Sequence, residues 1–371
     1  MSFLQTLRYN LSNLPGWRTK RKIVVFESDD WGSIRMSGKE SFKALVKAGI
    51  PIEKNPYNRF DGLESNDDLA LLFDVLTSFK DFKGNHPVFT GVNVVANPDF
   101  KRIREADYEH YFYESFHETL KRYPAHDRVP ELWKEGVEKR LFIPQFHGRE
   151  HLNVQQWMRD LRSGNEHTLL GFEHQLWGIY SPLIKSDYQA AFDLEFASDL
   201  QYLHPVISEG IDLFVKLHGY KPRFFVPTNG PFNLALEQTL HSKGISYIML
   251  DKLQKEPLGD GKYKTHLRYL GKRNKLGQIY LSRNAGFEPA QFPNQDNVNT
   301  CLKSIEMAFR LHKPVTISTH RVNYIGWLHP ENRENTLHQL KILLAQIIQR
   351  WPEVEFLTSD ELGDLIESGK K

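Results

Sequence analysis

Three short stretches of this chain end an apolar run on residues able to do acid–base or metal chemistry. "KIVVFESDDWGS" (22–33) runs into Asp29 and Asp30, "LFIPQFHGREH" (141–151) into His147 and His151, and "VTISTH" (315–320) into His320. Successive side chains of a strand point to opposite faces, so two adjacent carboxylates converge only where the strand has ended. That reading puts Asp29 and Asp30 at a strand tip. A helix cap or Asx turn is the alternative for either aspartate, but a cap needs only one carboxylate. His147 and His151 stand at i and i+4. On the first turn of a helix they would share one face, about 5–6 Å apart at Cβ, close enough to hold one metal ion. With 16 histidines in the chain, a structural role is the alternative for each of the three. Glu150 does not follow the first histidine directly, as a zincin glutamate does, so a third ligand and a general base must come from elsewhere. The aspartate pair supplies both, and a nearby dication would favour two ionised carboxylates that otherwise repel.

The elements that must position these residues follow from the apolar pattern. Runs at 23–26, 88–95, 141–146, 223–227, 246–250, 315–319 and 354–358 read as buried strands. Between them lie stretches of 3.6-residue periodicity, such as "LALLFDVLTSF" and "ENTLHQLKILLAQIIQRW". The alternation implies an α/β fold of mostly parallel strands with helical crossovers, and about seven repeats favour a distorted (β/α)7-type barrel. In such a barrel the strand ends bearing Asp29, Asp30 and His320 share one rim. No linker or repeat divides the chain, so residues 1–371 read as one domain. Two stretches interrupt the alternation, 97–140 and 252–295. Each reads as an insertion over the rim that shapes a cleft, or as a solvated addition packed on its own aromatics.

Composition narrows the function classes. A formal charge of +2 on 371 residues gives no electrostatic footprint for nucleic acid. One cysteine, Cys301, excludes an intrachain disulfide and a thiolate zinc cluster, so a metal must use histidine and carboxylate. The opening "MSFLQTLRYNLSNLPGW" has no continuous apolar core with a small-residue cleavage site, and no run approaches a membrane span. The expectation is a cytoplasmic protein. Oligomeric state is not legible.

In motif order, over roughly residues 22–366, the sequence resembles the polysaccharide deacetylases with NodB homology, carbohydrate esterase family four. The resemblance implies a metal-dependent hydrolase that removes acetyl groups from N-acetylated sugars of a polysaccharide or glycan precursor. It implies Asp29 as base, Asp30, His147 and His151 as ligands of a divalent ion, and His320 as the acid that protonates the leaving amine. Zinc is the first expectation for the ion, with cobalt, manganese or nickel as alternatives. Arg223 in "RFFVPTNG" stands for the family's arginine near the base, with a looser spacing, and Trp31 stands where the family has glycine. Asp251 is the candidate for an acidic-Trp motif. Asn229, Trp31 and Trp327 are candidates for binding the carbohydrate substrate, the two tryptophans being equally readable as core. Two rivals stay open: a glycoside hydrolase of a related barrel, and a carbohydrate-binding pseudoenzyme. Adjacent aspartates do not readily flank a glycosidic bond at the required ~5–9.5 Å, which counts against the first.

Overall fold

The computed structural model describes residues 13–369. Most of the opening stretch read above as lacking a leader therefore lies outside the described residues. Thirteen strands follow in chain order: β1 (Lys22–Trp31), β2 (Phe89–Val94), β3 (Ala96–Pro98), β4 (Tyr113–Ser115), β5 (Phe142–Gly148), β6 (Phe224–Phe225), β7 (Tyr247–Met249), β8 (Leu253–Gly259), β9 (Lys262–Leu267), β10 (Ile279–Leu281), β11 (Ala285–Gly286), β12 (Val315–His320) and β13 (Val354–Phe356). Nine of them form one sheet in the order β10-β7-β6-β5-β2-β1-β12-β11, with β13 added beside β1. Its pairings are all parallel.

The two edges of this sheet, β10 and β11, are separated in the chain by Ser282, Arg283 and Asn284 alone. One short link thus spans the gap of a distorted (β/α) barrel, the class expected. The strand pattern explains the curl. Ile23, Val25, Val92, Phe224, Tyr247, Met249, Ile279 and Leu281 come from five strands and pack, with Val226 just past β6, as one interior cluster. The alternate residues Val24 and Phe26 pack with Leu69, Leu72, Leu340 and Leu344 of helices Asn66–Thr77 and Pro330–Arg350. Both faces of β1 are buried, which is why its sequence is an unbroken apolar run. Leu362 and Ile366 of helix Ser359–Glu367 join the interior cluster.

All seven strand runs read from the sequence are strands. Two more, β10 and β11, lie inside residues 252–295, beside an antiparallel hairpin of β8 and β9. Residues 97–140 hold the antiparallel pair β3–β4 and three helices, the last of which, Val129–Glu138, carries Trp133 onto Phe142 of β5. Among the described residues no helix is long and apolar enough to cross a membrane.

Candidate active site

Parallel strands put their C-terminal ends on one rim, and the chemistry-bearing residues gather there. Asp29 of β1 is the register partner of His320 of β12. The strand-tip expectation needs one correction. β1 continues through Trp31, and the aspartates diverge because the register shifts between Ser28 and Trp31, with Asp30 in the left-handed region at φ 77°. This bulge breaks the alternation and lets the two carboxylates face different partners on the same rim.

The HxxxH pair also differs from expectation. His147 is the penultimate residue of β5 and His151 lies in the loop before helix Val154–Arg162, so the two do not share a helical face. Gly148, at φ 150°, makes the turn between them; a Cβ there would stand 3.0 Å from the Glu150 carbonyl oxygen. The rings nonetheless meet, with centroids 5.1 Å apart. His151 Nε2 lies 3.0 Å and His147 Nε2 3.6 Å from Asp30 Oδ1. Ligand atoms of Asp30, His147 and His151 all lie within 4.8 Å of one another, and the three residues are buried.

This donor set fits a divalent cation. His147 Nδ1 donates to the Val226 carbonyl at 2.8 Å, so Nε2 is the nitrogen turned to Asp30, and it has no hydrogen-bond partner. Leaving such a buried atom unsatisfied costs about 1–3 kcal/mol, which a metal ion would offset. Burial and the neighbouring Arg35 push His151 down to about 4, so its imidazole is neutral and able to ligate at pH 7. Burial opposes ionisation of Asp30, but His151 and Arg35 hold its carboxyl well below the usual range. Arg35 reaches Asp30 Oδ2 at 3.2 Å, donates to Gln189 Oε1 at 2.9 Å and lies over the Trp177 ring.

Asp29 is gripped by a different cation. Arg283 donates from two nitrogens to its two oxygens at 2.6 and 2.7 Å, and from Nε to Glu27 at 2.6 Å. Burial raises Asp29, but Arg283, with His147 and His320, outweighs it and keeps the carboxyl below its usual range. His320 Nε2 lies 3.9 Å from Asp29 Oδ2, and its Nδ1 donates to Glu288 Oε1 at 2.6 Å. Burial alone would lower His320; the Glu288 carboxylate, then Asp30 and Asp29, raise it to about 9. The imidazolium is therefore the resting form at neutral pH, with Nε2–H on the side of Asp29.

The expected Arg223 is not in this site. It precedes β6, at the N-terminal end of a parallel strand, and pairs with Asp364 and Tyr247. Arg283, in the link between β10 and β11, takes the place expected of it beside Asp29. Its signal was available in "IYLSRN", an apolar run ending on a charged residue like the other three. Trp31 is also corrected: it is fully buried, donates to Ser28 Oγ and packs its edge on Phe142, because the bulge returns it to the core. Trp327 packs against His126, away from the cleft lining. Asn229 does line the cleft, in a left-handed turn at φ 53°, as does Asp251 beyond β7. Sequence reading also missed Arg35, Tyr57, Gln189 and Glu288. None closes an apolar strand run; Tyr57, Gln189 and Glu288 come in through distant pairings, while Arg35 pairs with Asp30 five residues before it. The cleft has an empty volume of about 560 Å³.

The two arginines separate by experiment. Arg283→Met should abolish activity and cost about 3–5 kcal/mol, because it strands the buried Glu27 and Asp29 carboxylates. Arg223→Ala removes a half-exposed pair, so it should cost about 1 kcal/mol or less and leave turnover unchanged. Denaturant unfolding and rate assays on both variants check this. Equal rate losses would put Arg223 back in the site.

No protein-family model matches this chain, and no curated protein matches it. Solved structures similar to it include polysaccharide deacetylases. A probable polysaccharide deacetylase from Pseudomonas aeruginosa PAO1 aligns over 92% of this chain and 90% of its own, at 11% identity and TM-score 0.45. A peptidoglycan deacetylase from Bacillus subtilis aligns over 94% and 93%, at 10% identity and TM-score 0.38. A 4-alpha-glucanotransferase from Thermococcus litoralis aligns over 92% of this chain and 40% of its own, at 10% identity and TM-score 0.46. At 10–11% identity nothing about reaction or substrate follows from these likenesses.

Proposed function

We propose that this chain is a metal-dependent hydrolase that removes acetyl groups from N-acetylated sugars of a polysaccharide or glycan precursor. The observation that supports it most is the division of the rim into two halves: Asp30, His147 and His151 converge on one point, while Asp29 and His320 face each other 3.9 Å apart beside it. A divalent ion held by the first three, zinc before cobalt, manganese or nickel, would act as a Lewis acid on an amide carbonyl and lower the pKa of water. Asp29, ionised and held in place by Arg283, takes the proton of the attacking water. His320, protonated through Glu288, gives its Nε2 proton to the departing nitrogen, which leaves as an amine. Asn229 and Asp251 line the walls that would meet sugar hydroxyls. The single barrel unit belongs to the same proposal, with 97–140 and the β8–β9 hairpin as its additions; β10, Arg283 and β11, also inside 252–295, are part of the barrel itself, which corrects the reading of that whole stretch as an insertion.

Acetate release by the zinc-loaded protein from a panel of N-acetylated and O-acetylated sugars tests the reading. Release from an N-acetylated sugar supports it; release confined to O-acetyl esters, or none, overturns it.

The acid–base pair fixes a pH dependence. Activity needs Asp29 ionised and His320 protonated, so it should be lost as pH rises through about 9, the alkaline position set by Glu288, Asp29 and Asp30 around His320. Glu288→Gln removes the largest raising influence, so the alkaline limb should move to lower pH, toward an ordinary histidine. A kcat/KM profile checks this, and an unmoved limb would remove Glu288 from the account.

A further inference from the structure

Tyr57 lines the cleft on the short helix Pro56–Phe60, and the mechanism above leaves it unused. Its place is over-determined. Asn55 caps the helix by accepting the Tyr57 backbone N–H at 2.9 Å. The Arg35 guanidinium, which also holds Asp30, lies 5.5 Å from the ring centroid, and the ring meets His320 edge-on at 5.7 Å. Tyr57 thus stands between the metal-binding half of the rim and the acid–base half. Its hydroxyl oxygen accepts a hydrogen bond from Gln291 Nε2 at 2.9 Å, and the same amide donates to Glu288, the partner of His320.

A phenol whose oxygen already accepts from an amide has its own O–H left to donate. Burial, then the Asp30 and Glu288 carboxylates, keeps that phenol protonated far above neutral pH. The carboxylates nearest the phenol already have donors: Asp29 is taken by Arg283, Asp30 by Arg35 and the histidines, and Glu288 by His320 and Asn323.

Resting on the deacetylase reading, we infer that the Tyr57 hydroxyl donates a hydrogen bond to the substrate acyl oxygen as it becomes an oxyanion. As water oxygen bonds to the acyl carbon, the carbonyl π pair moves onto that oxygen, and the Tyr57 O–H stays intact while its hydrogen bond shortens. Such a donor acts on the transition state more than on the ground state. The direct consequence is a loss in kcat with little change in KM.

The test compares wild type and Tyr57→Phe, both zinc-loaded, on N,N′-diacetylchitobiose and on its methylphosphonamidate analogue, a stable tetrahedral anion. The variant should lose kcat on the order of 10²-fold with KM within about twofold. Its affinity for the analogue should fall by a similar factor, while affinity for the chitobiose product and thermal midpoint stay as in wild type. Gln291→Leu, which frees the hydroxyl without removing it, should give a smaller loss of the same kind. Unchanged kcat and analogue affinity in Tyr57→Phe, or a loss confined to KM, overturns the assignment. If wild type releases no acetate yet binds the analogue through Tyr57, the deacetylase reading fails and the donor stands. If wild type releases acetate and Tyr57→Phe binds the analogue equally well, the donor fails and the deacetylase reading stands.

Discussion

Asp29→Asn is expected to lower acetate release by about 10²–10⁴-fold while the protein keeps its full complement of divalent ion. The amide oxygen can still accept one of the two Arg283 bonds, while its NH2 loses the other, so a buried bidentate pair becomes a single hydrogen bond with one charge fewer. What it cannot do is take a proton from water. Added metal therefore should not restore the rate. Asp30→Asn should behave oppositely. It exchanges the anionic oxygen on which His147 and His151 converge for a neutral one, so metal affinity should fall, and activity should return in part with excess zinc or cobalt. Metal stoichiometry and acetate release on the two variants check both statements. Equal metal loss in both would show that the neighbours share one role.

His147→Ala and His151→Ala are expected to remove bound ion and activity together, because one carboxylate and one imidazole do not hold the ion well. The two should differ in one respect. His147 is braced by the Val226 carbonyl and stands on a strand, so its loss also frees a buried backbone acceptor. His151 stands in a loop and its Nδ1 has no partner. The His147 variant should therefore be less stable by about 1 kcal/mol, as read from denaturant unfolding. Full metal content in either variant would contradict the site.

Much of this was legible in the sequence because strand ends are local. An apolar run closed by Asp, His or Arg reports both its burial and the rim it reaches, and Asp29, Asp30, His147 and His320 were all found that way. The same grammar held for Arg283, but its run, β10, is three residues long and sits in a stretch rich in lysine and glycine. Arg223 misled because it opens a strand instead of closing one, which puts it at the other end of the barrel, paired with Asp364. Trp31 misled because a single left-handed residue, Asp30, restores it to the core face; the sequence "DDWG" does not announce the bulge. The HxxxH spacing is natural to a helix, yet the pair is split between a strand and a loop, and Gly148 makes the turn that replaces the helical one. Arg35, Tyr57 and Glu288 had no local signal at all. Tyr57 and Glu288 reach the site through pairings with residues far along the chain, Gln291 and His320, which one sequence read without its fold does not place; Arg35 is five residues from its partner Asp30, and only its second partner, Gln189, is distant.

If Asp30, His147 and His151 hold the ion on which hydrolysis depends, metal binding and rate must rise together in the stripped protein. The purified chain is stripped with a chelator, titrated with zinc by calorimetry, and assayed for acetate release at each point of the titration. One tight site per chain is expected, with a rate that rises in step with its filling to a plateau at one equivalent. Undiminished acetate release by the stripped chain, or binding of zinc that leaves the rate where it was, would contradict it.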